Sequence, residues 1–267
     1  MNIDKIRTMI DTRWVAKEVS FFDIIDSTNN VAKAAGDEGR QSGFLAVADR
    51  QDAGRGSRGR KWISPSGYNI FMSLMIRPKI PMDKAAGLTL IMALSIAEAI
   101  DEVAGVKTNI KWPNDIVLNK RKICGILTEL HMEPDQKDYF VVIGAGINVN
   151  QPIELFPEEI RNTAGSVFSE TGNNTDRAAL IGACMKHFES NYENYVKAQD
   201  LRMLKNTYES RLINIGKEVR ILDPKGEYEA VADGITDEGA LVVTCKDGRR
   251  TEINAGEVSV RGLYGYV

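Results

Sequence analysis

Residues 54–62 combine positive charge with backbone freedom. Within this Gly-Arg run (residues 54–62) there are no acids, and glycines separate the cations: Arg55, Arg58, Arg60 and Lys61, with Gly54, Gly56 and Gly59. Glycine permits backbone conformations that a Cβ forbids and lets N–H groups approach a ligand closely. The run therefore suits a phosphate-bearing anion, although a solvated basic surface loop explains it equally well when it is taken alone.

The run also imitates two phosphate-binding motifs, but its context fits neither. Its glycines spell G-x-G-x-x-G, whereas a dinucleotide-binding turn needs a helix to begin there. Here Pro65, Ser66 and Gly67 follow, and then a strand-like alternation. A P-loop requires a Lys-Ser/Thr pair after its second glycine, and Arg60 follows Gly59 instead.

A second polar set, Lys111-Trp-Pro-Asn-Asp115, lies between two strand-like segments. Pro113 favours an extended or turned backbone that presents the oxygens of Asn114 and Asp115 at the bend. Asp115 is a candidate Mg²⁺ ligand, because Mg²⁺ prefers a few carboxylates together with phosphate oxygens. An ordinary turn with an Asx hydrogen bond is the alternative.

The strand predicted at 122–131 begins with a lysine and a glycine that are candidates to contact a ligand. Lys122 lies three positions before Gly125, and glycine in a strand leaves room beside it. Residues 144–148 add two further glycines and the amide of Asn148, which both donates and accepts. The alternatives are a surface lysine and close helix–sheet packing around the glycines.

The hydrophobic pattern predicts the elements that position these residues. Strands are predicted at 21–25, 44–48, 68–76, 109–112, 115–118, 122–131 and 139–149. Apolar residues three and four apart predict a helix capped by Asp83 that extends to Val103, and another capped by Asp176. Shorter helices are predicted at 3–10, after Asp26 and Ser27, and at 201–211.

After residue 212 short apolar runs alternate with turn signals. Strands are predicted at 218–222, 228–232, 240–244, 251–253 and 258–260, and turns include Asp233-Gly234. This texture is typical of a small SH3-like β-barrel. The predicted fold is therefore α+β, with a mixed β-sheet flanked by helices in a catalytic domain at 1–211 and an SH3-like domain at 212–267.

Composition narrows the class of protein. A net charge of −3 gives no overall electrostatic footprint for nucleic acid. Three widely separated cysteines argue against a disulfide framework, and two histidines without neighbouring ligands argue against a zinc site. The sequence has no recognisable signal peptide or membrane-spanning stretch, so we expect a cytoplasmic protein.

Taken in order, these segments resemble the biotin–protein ligases (biotin–[acetyl-CoA-carboxylase] ligases). The resemblance rests on Asp26-Ser-Thr-Asn29, on Gln51 with the Gly-Arg run, on 111–115, on Lys122 with Gly125-Ile-Leu, and on 144–148. Residues 234–260 are similar to the family's SH3-like end domain. The resemblance covers nearly the whole chain from Phe21 and implies the catalytic fold shared by class II aminoacyl-tRNA synthetases and biotin ligases.

The resemblance implies a two-step reaction with biotin, ATP and Mg²⁺. The biotin carboxylate attacks the α-phosphorus of ATP to give biotinyl-5′-AMP, and a lysine of a biotin carboxyl carrier protein or domain then takes the biotinyl group. An ionised carboxylate needs no general base, so positioning and charge neutralisation are the protein's expected contributions. No prosthetic group, membrane partner or nucleic-acid partner is expected.

The resemblance also assigns roles to residues. Lys122, which bridges the biotin carboxylate and the α-phosphate, and Arg55 are the catalytic candidates. The residues expected to bind biotin are Ser27, Thr28, Asn29, Gln51, Arg55, Gly56, Ser57, Lys122 and Gly125. Those expected around ATP or the adenylate are Arg58, Arg60, Lys61, Trp62, Lys111, Asn114 and Asn148. Asp115 is expected to hold Mg²⁺.

Two features depart from the family pattern. Ser57 stands where the family often has an arginine that is associated with keeping the adenylate in the site, so looser retention is expected. The stretch before Phe21 is shorter than the helix-turn-helix domain of some relatives, and we expect a ligase that does not bind DNA. A homodimer formed through the catalytic sheet is a further expectation.

Three rival functions stay open on sequence alone. A lipoate or related acyl-protein ligase shares the fold and the chemistry, but Ser27, Thr28 and Gln51 with the full Gly-Arg run favour biotin. A biotin-binding sensor or repressor would need a DNA-reading domain. A nucleic-acid-binding SH3-like module is disfavoured by the net charge of −3.

Overall fold

The computed structural model describes residues 1–56, 59, 62–133, 138–223, 226–255 and 259–262. Within this part of the chain, the strands form a mixed seven-stranded sheet (the large sheet) and an antiparallel five-stranded sheet (the small sheet). The large sheet has the order β1-β2-β3-β7-β6-β5-β4. Its strands are β1 (Val19–Ile25), β2 (Phe44–Gln51), β3 (Ile70–Ile76), β4 (Asn109–Lys111), β5 (Asp115–Leu118), β6 (Arg121–Met132) and β7 (Tyr139–Ile147).

Strand pairing in the large sheet determines which residues meet. β1 and β2 are parallel and place Ile25 opposite Gln51, so both strands end at the same edge. β6 and β7 are antiparallel at the centre of the sheet and place Gly125 opposite Gly146. Because side chains alternate between faces along a strand, the glycines and Glu129 of these two strands share one face.

One face of the large sheet is covered by helices, one of which packs on another. α3 (Gly87–Ala104) packs on β4, β5, β6 and β7, and α5 (Arg177–Ala198) packs on α3. α1 (Ile3–Met9) packs on α5 and β1, and the short helix α4 (Val167–Thr171) precedes α5 in the chain. The side chain of Asp176 accepts hydrogen bonds from the N–H groups of Ala178 and Ala179, so the predicted cap of α5 is confirmed. The main hydrophobic core lies between these helices and the sheet.

The opposite face carries α2 (Thr28–Asp37), which packs on β2, β3 and β7. The core beneath it is small and is built from Ala32, Ala35, Phe44, Ala46, Met75, Phe140 and Val142. It covers the half of the sheet near Phe140. Toward Gly144 and Gly146 the face bears glycine instead of large apolar side chains, which leaves space beside the first turn of α2.

The small sheet has the order β11-β10-β9-β8-β12. Its strands are β8 (Glu218–Asp223), β9 (Gly226–Ile235), β10 (Leu241–Cys245), β11 (Arg250–Ile253) and β12 (Ser259–Gly262). The buried indole N–H of Trp112 donates to the carbonyl of Gly239 at 3.1 Å. Lys205 in α6 (Lys205–Glu209) pairs with Asp237 at 3.0 Å. These contacts hold the β9–β10 turn against α6 and against the residue that follows β4.

The predicted fold class is confirmed, with local errors. Asp83 does not cap α3, because the chain first makes a 3₁₀ turn at Met82–Lys84 and the N-cap residue is Ala86. The helix predicted at 201–211 is restricted to α6, and residues 201–204 form a turn in which Leu204 N–H donates to Leu201 O. The boundary between domains at 211/212 stays a prediction.

The Asp233-Gly234 turn is wrong for a different reason. Both residues lie within β9, and the pairing with β10 shifts from Gly234–Val242 to Ala232–Val243. Asp233 is therefore the extra residue of a β-bulge. The described helices include none long and apolar enough to cross a membrane.

Candidate functional site

A cavity opens on the α2 face where the first turn of α2 meets the central strands. Its floor is the cross-strand pair Gly125–Gly146 with Gly144 beside it. A Cβ on Gly146 would lie 2.5 Å from Nε1 of Trp62, and a Cβ on Gly125 would lie 2.9 Å from Cζ3 of the same ring. Glycine at both positions thus lets an aromatic ring lie directly on the sheet backbone.

Trp62 covers this floor and closes the base of the Gly-Arg run. Its N–H donates to the carbonyl of Gly54 at 2.9 Å, which brings the two ends of the run together. The indole Nε1 is buried and has no hydrogen-bond partner among the described residues. An unpaired buried donor is costly, so the ring is suited to a place where an acceptor arrives with a ligand.

One end of the cavity is lined by the uncharged polar residues Ser27, Thr28 and Gln51. Thr28 N–H donates to Oε1 of Gln51 at 2.8 Å, which joins the first turn of α2 to the end of β2. The Thr28 hydroxyl lies 3.0 Å from the same oxygen. Ser27 is the N-cap residue of α2, but its side chain makes no capping bond and lines the cavity instead. All three residues were predicted from sequence, and the structure brings them together.

A polar network behind this end includes two residues that the sequence reasoning missed. The amide of Asn29 donates to Glu129 Oε2 at 2.6 Å, and its oxygen contacts the fully buried hydroxyl of Ser73 at 2.6 Å. Arg55 reaches Glu129 Oε2 at 3.3 Å and Asn30 Oδ1 at 3.0 Å. Arg55 and Asn29 therefore line the cavity while part of their bonding capacity ties β6, α2 and the Gly-Arg run together.

The sequence did carry a signal for both missed residues. Glu129 follows Gly125 and Leu127 at steps of two, so it shares their face of β6. Ser73 is a hydroxyl in an otherwise apolar strand, between Met72 and Leu74. A buried hydroxyl must find a partner, and on this face that partner belongs to α2.

The other end of the cavity carries an ion pair. Lys122 Nζ lies 2.5 Å from Oδ1 of Asp115, and the two side chains are 20% and 15% exposed. The Lys122 ammonium also stands 5.3 Å from the centre of the Trp62 ring. Below this pair, burial raises the pKa of the Cys124 thiol well above its ordinary value, so Cys124 is not a thiolate nucleophile.

The remaining predicted residues divide into those that line the cavity and those that do not. Asn114 and Gly56 line it, and Asn114 also donates to Ile126 O at 2.8 Å. Asn148 is buried directly after β7 and does not line the cavity, and its amide donates to Gly165 O at 2.9 Å. Lys111 is 6% exposed and does not line the cavity. The predicted residues Ser57, Arg58, Arg60 and Lys61 lie outside the described residues.

The chain that leaves the Gly-Arg run is anchored by Asp49. Its carboxylate accepts bonds from the Ser66 hydroxyl and Gly67 N–H, and it pairs with Arg177 at 2.8 Å. Partial burial opposes ionisation of Asp49, but the bonds from Ser66 and Arg177 outweigh it and lower its pKa. The exit of the run is thus fixed to the start of α5.

The described residues bring no three His, Cys, Asp or Glu side chains together as a metal cluster. Asp115 is engaged with Lys122, so a magnesium site made by protein groups alone does not fit this arrangement. Mg²⁺ is commonly bound through one or two carboxylates plus substrate phosphates. The cavity is best suited to an elongated molecule with a polar neutral head and an anionic tail.

Comparison with known proteins agrees with this geometry. Residues 21–148 match the model of the Biotin/lipoate A/B protein ligase family, and residues 215–261 match that of the Biotin protein ligase C terminal domain. The chain is 38% identical over 244 residues to the bifunctional ligase/repressor BirA of Bacillus subtilis, which covers 91% of this chain and 74% of that protein. It is 30% identical over 240 residues to the biotin–[acetyl-CoA-carboxylase] ligase of Paracoccus denitrificans, over 89% of this chain and 98% of that one.

Solved structures give the same picture. The biotin protein ligase from Aquifex aeolicus in complex with biotin and ATP matches with a TM-score of 0.79 and 31% identity. The match covers 92% of this chain and 99% of the Aquifex chain. Both sheets therefore lie within a shared architecture.

Proposed function

Because the chain belongs to the biotin/lipoate A/B protein ligase family, we propose that its cavity is the site where biotin is activated with ATP and passed to a protein lysine. The chain is a biotin–[acetyl-CoA-carboxylase] ligase: it forms biotinyl-5′-AMP and transfers the biotinyl group to a biotin carboxyl carrier protein or domain. The relatives and the Aquifex complex with biotin and ATP support the reaction. The roles given to individual residues below are our proposal.

The observation that carries the assignment is the polarity of the cavity. Biotin has a neutral urea at one end and a carboxylate at the other, joined by an apolar ring and chain. Ser27, Thr28 and Gln51 supply donors and acceptors at one end, and Lys122 supplies a cation at the other. The glycine floor, with the Trp62 ring lying on it, forms the apolar stretch that separates the two ends.

In the first step Lys122 is the residue that contacts the reacting atoms. A biotin carboxylate oxygen attacks the α-phosphorus of ATP, the bond from that phosphorus to the bridging oxygen breaks, and pyrophosphate leaves. The Lys122 ammonium donates to the carboxylate and to the α-phosphate, and so holds two repelling anions together. Asp115, now 2.5 Å from Lys122 Nζ, holds the ammonium at this end of the cavity.

In the second step the neutral amine of the acceptor lysine attacks the acyl carbon. The bond from that carbon to the phosphate oxygen breaks, AMP leaves with the electron pair, and the amine loses a proton. The protein must exclude water until the acceptor arrives, since an acyl-adenylate hydrolyses. Asp49 and the Trp62–Gly54 bond hold the two ends of the Gly-Arg run for this purpose.

Mg²⁺ enters this scheme as the counter-ion of ATP. It supplies charge neutralisation on the phosphates. Asp115 is a candidate to contact it when Lys122 turns to the ligand, and we propose no further protein ligand.

ATP–pyrophosphate exchange tests the assignment when biotin, lipoate and octanoate are offered separately. We expect exchange with biotin and not with lipoate or octanoate, because these two acids lack groups that pair with Ser27, Thr28 and Gln51. Lys122→Ala should abolish exchange, whereas Lys246→Ala, which changes a lysine 74% exposed on the small sheet, should leave it unchanged. Exchange with lipoate but not with biotin would assign the chain to the other branch of the family.

We also propose a homodimer, no nucleic-acid partner and a cytoplasmic location. Residues 126–132 of β6 extend past the end of β5 and expose Leu130 and Met132, which suits pairing with a second copy. The net charge of −3 disfavours nucleic acid, and the buried free thiols of Cys124, Cys184 and Cys245 suit a reducing compartment. Sedimentation and a DNA-binding titration test the first two proposals, and fractionation of cells tests the third.

A further inference from the structure

The polar network behind the urea end of the cavity fixes where its protons lie. Each hydroxyl has one proton to donate, an amide nitrogen donates, and a carboxylate or an amide oxygen accepts. Two groups at the ends of the network have unambiguous roles. They are the carboxylate of Glu129, beside the Arg55 guanidinium, and the backbone N–H of Thr28.

The roles at the two ends determine both amide orientations. The contact of 2.6 Å between Asn29 and Glu129 requires the amide nitrogen of Asn29 on that side, so its oxygen faces Ser73. Thr28 N–H lies 2.8 Å from Gln51 and requires the amide oxygen of Gln51 there. The nitrogen of Gln51 then faces the hydroxyl of Ser64 at 3.4 Å, which is consistent.

The hydroxyl protons follow from these orientations. Ser73 Oγ lies 2.6 Å from the Asn29 oxygen, which has no proton to give, so Ser73 must donate to it. Ser73 lies 2.7 Å from the Thr28 hydroxyl and has no second proton, so Thr28 donates to Ser73. The proton of Thr28 is therefore directed away from Gln51.

This leaves two acceptors side by side at the cavity. The Thr28 oxygen and Gln51 Oε1 are 3.0 Å apart, and each keeps a lone pair with no proton between them. Such a pair calls for a donor from the ligand, and a urea N–H is one. Without Ser73, the Thr28 proton would turn to Gln51 Oε1, which already accepts Thr28 N–H, and this amide oxygen would be filled.

We propose that Ser73 and Glu129 are positioning residues that make the urea end of the cavity selective for a ligand N–H. Glu129 orients Asn29, Asn29 orients Ser73, and Ser73 draws the Thr28 proton away from the ligand. This inference rests on the proposed function, since it takes the urea of biotin as the ligand group. Neither residue lines the cavity, so they act on the ligand through Thr28 and Gln51.

Calorimetric titration with biotin and two analogues tests the relay. Each analogue is a cyclic carbamate in which oxygen replaces one of the two urea N–H groups. For the wild type, one of the carbamates should bind about three- to tenfold more weakly than biotin, as expected for a neutral hydrogen bond lost. For Ser73→Ala, the affinity for biotin itself should fall by about three- to tenfold. The variant should then bind that carbamate about as well as it binds biotin.

Further variants separate this role from a general structural effect. Glu129→Met removes the acceptor that holds the Asn29 amide nitrogen toward β6, so the Asn29 oxygen is no longer fixed toward Ser73 and the affinity for biotin should fall as it does for Ser73→Ala. Ser73→Thr retains the hydroxyl and should recover most of the carbamate penalty. Ser95→Ala is the matched control, since Ser95 is also fully buried but bonds within α3 and to α5. It should leave biotin binding unchanged.

The outcomes are distinct. If the wild type binds biotin, and Ser73→Ala binds biotin equally well and discriminates against the carbamate as strongly, the relay through Ser73 is overturned and the proposed function is not. A wild type that does not bind biotin overturns the relay and the proposed function together. In exchange assays at saturating biotin, Ser73→Ala should retain the wild-type kcat, and a matched fall in kcat would contradict a role limited to positioning the ligand.

Discussion

Gly144→Ala tests the close contact between the floor of the cavity and the first turn of α2. A Cβ on Gly144 would lie 2.0 Å from Oδ1 of Asn29 and 2.8 Å from its Cγ, both far inside van der Waals contact. Asn29 cannot easily move away, because bonds of 2.6 Å hold its amide to both Glu129 and Ser73. The substitution must therefore strain the sheet or break at least one of these bonds.

The expected cost follows from this geometry. Overpacking a well-packed site costs about 1–3 kcal/mol, and breaking a bond to a charged group costs a similar amount. A loss of this size lowers the unfolding temperature by about 3–10 °C in a chain of this length. Biotin should also bind more weakly, since Asn29 no longer orients Ser73.

A double-mutant cycle assays the mechanism through thermal unfolding and biotin titration. Asn29→Ala removes the atoms with which the new methyl group collides. Adding Gly144→Ala to Asn29→Ala should then cost less than half of its cost in the wild type. Additive losses would refute the reasoning, because they would show that the methyl group is not opposed by Asn29.

Two further substitutions test how the ends of the site are held. Asp49→Asn should destabilise the protein by about 1–2 kcal/mol at pH 7. Because the pKa of Asp49 is lowered in the folded state, this stabilisation is present above the unfolded value of about 4 and is lost as pH falls through the folded pKa. Urea unfolding of the wild type and of Asp49→Asn from pH 7 to pH 3 should show the difference between their free energies of unfolding becoming smaller. A difference that stays constant with pH would contradict this role of Asp49. Trp112→Phe removes the donor to Gly239 and should speed hydrogen exchange at residues 236–240, whereas unchanged exchange would show that this bond does not hold the turn.

Helix caps and turns are predicted from one or two residues, and such local signals were correct at some positions and wrong at others. The carboxylate of Asp176 caps α5 by accepting from the N–H groups of Ala178 and Ala179, as its sequence position predicts. Asp83 carries the same signal and fails, since the chain after Pro81 makes a 3₁₀ turn first. The Asp233-Gly234 pair fails because a bulge inside β9 can use the same residues as a turn.

The site shows the same division. Ser27, Thr28 and Gln51 were predicted as a group through the family resemblance, and the parallel pairing of β1 with β2 places them together. Spacing along the strands places Ser73 and Glu129 on their faces, but their partner Asn29 is far away in sequence, so local patterns do not show the contact. Asn148 was predicted near the ligand; it follows the last residue of β7, and its amide donates to Gly165 O instead of lining the cavity, so its role stays a prediction.

The central claim is that Lys122 joins the biotin carboxylate to the α-phosphate. The most direct test is a single-turnover reaction with α-³²P-labelled ATP and biotin, in which biotinyl-AMP is separated and counted before any acceptor is added. We predict one equivalent of labelled adenylate for the wild type and almost none for Lys122→Ala, with the unfolding temperature of the variant little changed. Adenylate formed by Lys122→Ala at the wild-type rate would contradict it.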